Sequence, residues 1–190
     1  PEDAQLREFI AFDPEQNFPS PSFVRQIENQ NLHALNIPEL TIITPAALQT
    51  EAERVAQLHR EEGLTVAVIE QEKIFNEFSS GTPDASAYRR LMKMFYDRAE
   101  GNENVRPRYL LLFGDGSYNN RKSMEKLHSP ECNMLLTYQS KTSIDERESF
   151  VIEDYFGFLE DNSGEEIKVD KVCLGIGRFP ISSIKNARLV

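Results

Sequence analysis

Short unbroken apolar runs alternate along the chain with apolar residues at helical spacing, and that alternation predicts strands followed by helices. Residues 39–44 (ELTIIT) form a β-branched run read as a strand. Thr44-Pro45 then supplies an N-cap residue and a proline at the first helical position. In the helix that follows, Ala52, Val55, Ala56 and His59 recur at i, i+3, i+4 and i+7, and Gly63 is the stop. Residues 64–69 (LTVAVI) read as a second buried strand, and residues 73–81 (KIFNEFSSG) as a loop. Thr82-Pro83-Asp84 repeats the helix-start signal, and Tyr88, Leu91, Met92, Phe95 and Tyr96 give the second helix an apolar face as far as about Arg98. Residues 109–113 (YLLLF) have no polar alternation, as expected of a parallel strand covered on both faces. A long polar excursion follows, too long for an ordinary loop and so expected to carry function or a small hairpin. Residues 171–176 (KVCLGI) are read as a fourth strand and 182–190 as the start of another helix. The expected fold is α/β: a three-layer sandwich of about four parallel strands with helices on both faces.

The first 37 residues lack helical periodicity, and FPSPSF (18–23) places two prolines in six positions. They read as the end of a preceding region or a linker, with the α/β unit spanning 38–190. The chain begins at Pro1 without a basic and apolar leader, which suggests a segment of something longer. Its 190 residues are 39% hydrophobic and 27% charged, enough apolar material for a sizeable core. Lys and Arg number 21 against 31 Asp and Glu, and the net charge of −10 disfavours nucleic acid as a partner. No apolar run approaches the roughly 20 residues of a membrane-spanning helix. Cys132 and Cys173 have no CxxC spacing, which excludes a zinc ribbon and a disulfide-dense scaffold.

Ligands of open parallel sheets bind beyond the carboxyl ends of the strands, where Gly114-Asp115-Gly116-Ser117 would lie. Asp115 is therefore either a site residue or the cap of a turn. No phosphate loop of the GxxxxGK[ST] type is present. Glu153 and Asp154 stand among aromatic and aliphatic neighbours (SFVIEDYFGFL, 149–159). They read either as receivers of a cationic group or calcium ion, or as a polar turn between apolar strands. His128 and Cys132 lie four apart, but Pro130 between them removes any assumption of helical spacing, so they are not assigned as base and nucleophile. Cys173, inside an apolar run, reads as a buried, inert core residue on a central strand.

Five blocks resemble, in order, the gingipain-type cysteine peptidase family. They are NQNLH (29–33), NEFSSG with PDASA (76–81 and 83–87), LFGDGSY (112–118), DYFG (154–157) and GIGRFP (175–180). Asn119 and Glu153 depart from the family pattern, which often has an acid at the first and aspartate at the second. The resemblance implies a caspase-like catalytic region of two α/β subdomains with the His and Cys dyad in the second. Residues 38–190 would be the first subdomain, ending before the dyad, with no catalytic residue of its own and no activity alone. It also implies a substrate-binding role for Glu153, because in arginine-specific members the aligned acid sits in the pocket for the substrate's first side chain; Asp115 and Asp154 are expected beside it as substrate-binding residues at the same carboxyl edge. No cofactor is required, and a structural calcium ion is compatible. The implied parent is an endopeptidase and sortase at the outer membrane of a Gram-negative bacterium. Its partners would be proteins carrying C-terminal sorting domains and other type IX secretion components. A stand-alone α/β binding module with an acidic metal-binding pocket near the same three carboxylates is the competing reading.

Overall fold

Four strands form one parallel sheet: β1 (Leu40–Thr44), β2 (Val66–Glu70), β3 (Tyr109–Phe113) and β6 (Gly175–Phe179), in the order β2-β1-β3-β6. The structure, a computed structural model, describes residues 8–15, 18, 20–23, 26–121, 133–140, 142, 144–166 and 168–190. His128 and Cys132 lie outside the described residues. Within the long excursion, β4 (Asp115–Gly116) and β5 (Met134–Leu135) pair as a second, small parallel sheet, and Gln139 bridges Val151 antiparallel.

Successive side chains of a strand point to opposite faces, so a doubly covered strand must be apolar throughout. β1, central in the sheet, is buried at all five positions. On one face, Leu40 and Ile42 of β1 and Phe113 of β3 pack with Leu48, Ala52, Val55 and Ala56. The last three belong to α1 (Gln49–Glu61), and Ala187 of α4 (Ile184–Ala187) closes that layer. On the other face, Ile43, Ile69, Leu110 and Leu112 meet α2 (Gln71–Phe78) and α3 (Ser86–Arg98). From α3, Tyr88, Leu91, Met92 and Phe95 are fully buried, the stripe that its periodicity predicts. The fold is thus the expected α/β sandwich, with helices on both faces of a parallel sheet.

Three details differ from the sequence reading. Residues 71–78 form α2 rather than part of a loop, because Ile74 and Phe75 bury a face against the core. Its end is a left-handed stop: Ser80 and Gly81 have φ of 53° and 79°, and Gly81 N donates to Phe75 O. The fourth main strand begins at Gly175 rather than at residue 171 and lies at the edge of the sheet. Cys173 therefore sits before an edge strand and is half-buried, not sealed in a central one. The glycine-rich GIGRF sequence forms the strand by pairing in parallel register with β3, and its first glycine passes close to that neighbour. A Cβ at Gly175 would lie 3.2 Å from the Tyr109 ring.

Residues 30–33 are held onto α2 by one carboxylate. Glu77 accepts from Leu32 N at 2.7 Å and from Gln30 Nε2 at 2.8 Å, and His33 Nδ1 lies 2.7 Å from its Oε2. The His33 ring stacks on Phe78 with centroids 4.7 Å apart. Partial burial pushes the Glu77 carboxyl up, but the hydrogen bonds from Leu32, Gln30 and His33 outweigh it and hold its pKa below the ordinary 4.5. A carboxylate with a depressed folded pKa contributes stability above the unfolded value and loses it as pH falls through the folded one. Unfolding followed from pH 7 downward is therefore expected to show a stability loss beginning near pH 4.5 that Glu77→Gln removes. Equal acid limbs for the two proteins would refute it.

Candidate functional site

Beyond the carboxyl end of β3, the chain makes a close pass that only glycine permits. A Cβ on Gly114 would lie 3.0 Å from Asn133 O and 3.2 Å from Pro45 Cδ. Asp115 N donates to Asn133 O at 2.9 Å, which starts the β4–β5 pairing. A buried polar chain secures β5 from below. Tyr88 OH donates to Gln71 Oε1 at 2.7 Å, Gln71 Nε2 to Met134 O at 2.9 Å, and Leu136 N to Tyr88 OH at 3.3 Å. The Asn120 side chain then pairs with the Thr137 backbone in both directions, at 2.7 and 3.0 Å. Thus loop 117–121 is fixed to the strand segment beneath it.

Residues 153–163 reach the same edge along α3. Phe156 is fully buried against Tyr88, centroids 5.5 Å apart, within a 3-10 turn, Asp154–Gly157. Arg89 of α3 donates to Phe158 O and Ser163 O, both at 2.7 Å, and lies over the Tyr155 ring. Lys93 donates to Leu159 O at 3.1 Å and to Asp161 at 2.9 Å. Tyr155 stacks on Tyr138 at 3.4 Å, and its burial pushes the phenol pKa up. Gly157 admits β6 and the segment before it, since a Cβ there would lie 2.8 Å from Val172 Cγ1 and 2.9 Å from Ile176 Cδ1.

Arg178, on β6, joins all of these pieces. Its Nε donates to Glu153 Oε1 at 2.8 Å and its Nη2 to Glu153 Oε2 at 3.2 Å, a two-pronged pair. Nη2 also donates to Leu136 O at 3.2 Å, while Nη1 donates to Gly114 O at 3.3 Å and Asp115 O at 3.2 Å. A guanidinium has five N–H groups, and these five contacts employ them all. The side chain is only 12% exposed, with Glu153 at 28%. Gly116 leaves room for it, since a Cβ there would lie 3.2 Å from Arg178 Cζ and 2.9 Å from Thr137 Cγ2.

The three carboxylates singled out in the sequence fare differently. Asp115 and Glu153 come to the same end of the sheet, both touching Arg178, Asp115 through its backbone carbonyl. The Asp115 carboxylate accepts from Gly116 N at 2.8 Å and is half-exposed. Asp154 follows Glu153 but is exposed, in the first turn of the 3-10 segment. Among the described residues, no three His, Cys, Asp or Glu side chains come together as metal ligands would. The cation beside Glu153 is Arg178. Sequence reading missed Arg178, although an arginine as the fourth residue of the otherwise uncharged strand GIGRF was the available signal.

The family model of peptidase family C25 matches residues 33–190. The chain belongs to peptidase family C25. The edge described above includes three of the blocks that carried the resemblance, LFGDGSY, DYFG and GIGRFP: Arg178 of the last bonds to Gly114 and Asp115 of the first and to Glu153, the residue before DYFG. The C25 region is also similar to a solved structure, dimeric latent PorU from Porphyromonas gingivalis, at 44% identity and a TM-score of 0.75. That match covers 86% of this chain and 16% of the PorU chain, so this chain spans about a sixth of its length. The four-stranded parallel sheet flanked by helices is similar to the fold of that relative. No curated protein sequence matches the chain.

Proposed function

We propose that this chain forms one wall of the substrate cleft in a PorU-like cysteine peptidase of the bacterial cell surface. The parent would cleave C-terminal sorting signals of type IX secreted proteins and work with other components of that pathway at the outer membrane. The observation that carries this reading is the gathering of three family blocks at one carboxyl edge of the sheet, where ligands of parallel sheets bind. Exposed there are Asp154 and Tyr118, with Asp115 half-exposed. The chemistry would be attack of a thiolate on a peptide carbonyl, with a histidine moving the proton. Among the described residues, the groups present are engaged otherwise. His33 is paired with Glu77 and His59 with Glu62, and Cys173 Sγ lies 3.7 Å from Lys171 O.

Two measurements test the reading. This chain alone is expected to leave unfolded casein uncut under reducing conditions. Cleavage that Cys132→Ala removes would overturn the claim that its chemistry lies elsewhere. A benzoylphenylalanine at Tyr118 in the full-length protein is expected to cross-link to a substrate bearing a C-terminal sorting domain. The same probe at Leu58, on the outer surface of α1, is expected to give none. Cross-linking at 58 and not at 118 would place the cleft on another face.

A further inference from the structure

Residues 138–140 and 150–152 pair as the arms of a small hairpin, bridged at Gln139 and Val151. Ser140 N donates to Phe150 O at 3.0 Å and Ile152 N to Tyr138 O at 2.9 Å. In an antiparallel pair, bonds in these places flank a couple whose own N–H and C=O groups point away from the partner arm. Val151 is one of that couple, and the main chain of Ser149, two positions back, points the same way. Among the described residues, the main-chain N–H and C=O of Ser149 and Val151 have no partner. On the opposite edge the groups are taken as far as Thr137: Asn133 O accepts from Asp115 N, and Thr137 N and O bond to the Asn120 side chain. An open edge is a template for another strand, and proteins ordinarily blunt it with a charge or a proline. Residues 149–152 (SFVI) carry neither. The carboxylates that bound this run are both engaged, Glu148 with Lys168 at 2.8 Å and Glu153 with Arg178. The edge thus offers main-chain hydrogen bonds beside uncharged side chains, the chemistry that recognises an extended polypeptide. It adjoins the exposed Tyr118, whose OH lies 2.6 Å from Ser149 Oγ.

We propose that the 149–151 edge is a polypeptide-binding site, where an extended stretch of the substrate adds to the hairpin as a third strand. The proposal rests on the reading of this part of the molecule as a cleft wall. It names the groups that hold the substrate there, the main-chain N–H and C=O of Ser149 and Val151.

The test uses the full-length protein and a substrate bearing a C-terminal sorting domain. Val151→Pro deletes an N–H that bonds nothing within the described chain. It is expected to leave the melting temperature unchanged and to weaken substrate binding about twofold to tenfold, the worth of one backbone hydrogen bond. Val151→Thr keeps the N–H and is expected to bind as the wild type does. Hydrogen exchange of the wild type needs no variant to fold. The Ser149 and Val151 amides are expected to exchange fast in the free protein and about tenfold more slowly with substrate bound, whereas the already bonded Ser140 and Ile152 amides change little. Equal substrate affinity of Val151→Pro and wild type, or no slowing at residues 149 and 151, would overturn the proposal. Slowing without substrate that grows with protein concentration would also overturn it, because a second copy would then hold the edge. Cross-linking of the substrate at position 118 with unchanged exchange at 149 and 151 strikes this proposal alone, whereas cross-linking at 58 and not at 118 strikes the cleft reading itself.

Discussion

Arg178→Ala is expected to cost about 3–5 kcal/mol of folding stability, the range for breaking a buried ion pair from one side. The variant would leave the Glu153 carboxylate facing three carbonyl oxygens, Gly114 O, Asp115 O and Leu136 O, with no donor among them. Unsatisfied buried groups, rather than the lost Coulomb attraction, dominate that cost. Exposed pairs such as Arg90 with Asp84, 3.8 Å apart, contribute little by comparison. Urea unfolding is the direct measurement, with the midpoint falling at an unchanged slope. A loss no larger than that of a surface substitution would mean the guanidinium is dispensable to the edge.

Phe156→Ala is expected to lower stability by about 3–5 kcal/mol as well, through an entirely different cause. The ring is fully buried, tilted 53° against Tyr88 and edge-on to Tyr155. Its removal leaves a cavity between α3 and the 3-10 turn that surrounding side chains fill only in part. Phe156 N donates to Glu153 O at 3.0 Å, so the same turn presents Glu153 to Arg178. Phe156→Leu, which preserves most of the volume, is expected to recover the larger share of the loss. If leucine and alanine behave alike in thermal unfolding, packing of this turn is not what holds the edge together.

Elements with an unambiguous period were legible in the sequence. YLLLF forms β3 at the residues expected, and α3 ends at Arg98 with the expected apolar face buried. The Thr82-Pro83-Asp84 signal also acts nearby: Asp84 accepts from Ser86 N at 2.8 Å, and the helix begins at Ser86. Helix α2 was hidden because only eight residues long, it runs directly into a Ser-Ser-Gly stop that reads as loop. The edge strand was displaced because its glycines weaken strand propensity, while the apolar VCL preceding it mimics a strand. Arg178 was hidden for a more general reason. Its partners lie 25, 42, 63 and 64 residues away, and all five of its acceptor contacts are with backbone carbonyls or Glu153, none with the conspicuous Asp115 carboxylate. A single sequence shows side-chain types, whereas this site is built largely from carbonyls that every residue carries.

The central claim is that Arg178 and Glu153 act as one unit gathering the family blocks at the carboxyl edge. A double-mutant cycle with Arg178→Met, Glu153→Gln and both together tests it most directly, read by urea unfolding of the wild-type and variant chains. The pair is expected to be non-additive by about 1–3 kcal/mol, the double variant being less destabilised than the sum of the single ones. Additivity within a few tenths of a kcal/mol would contradict the claim.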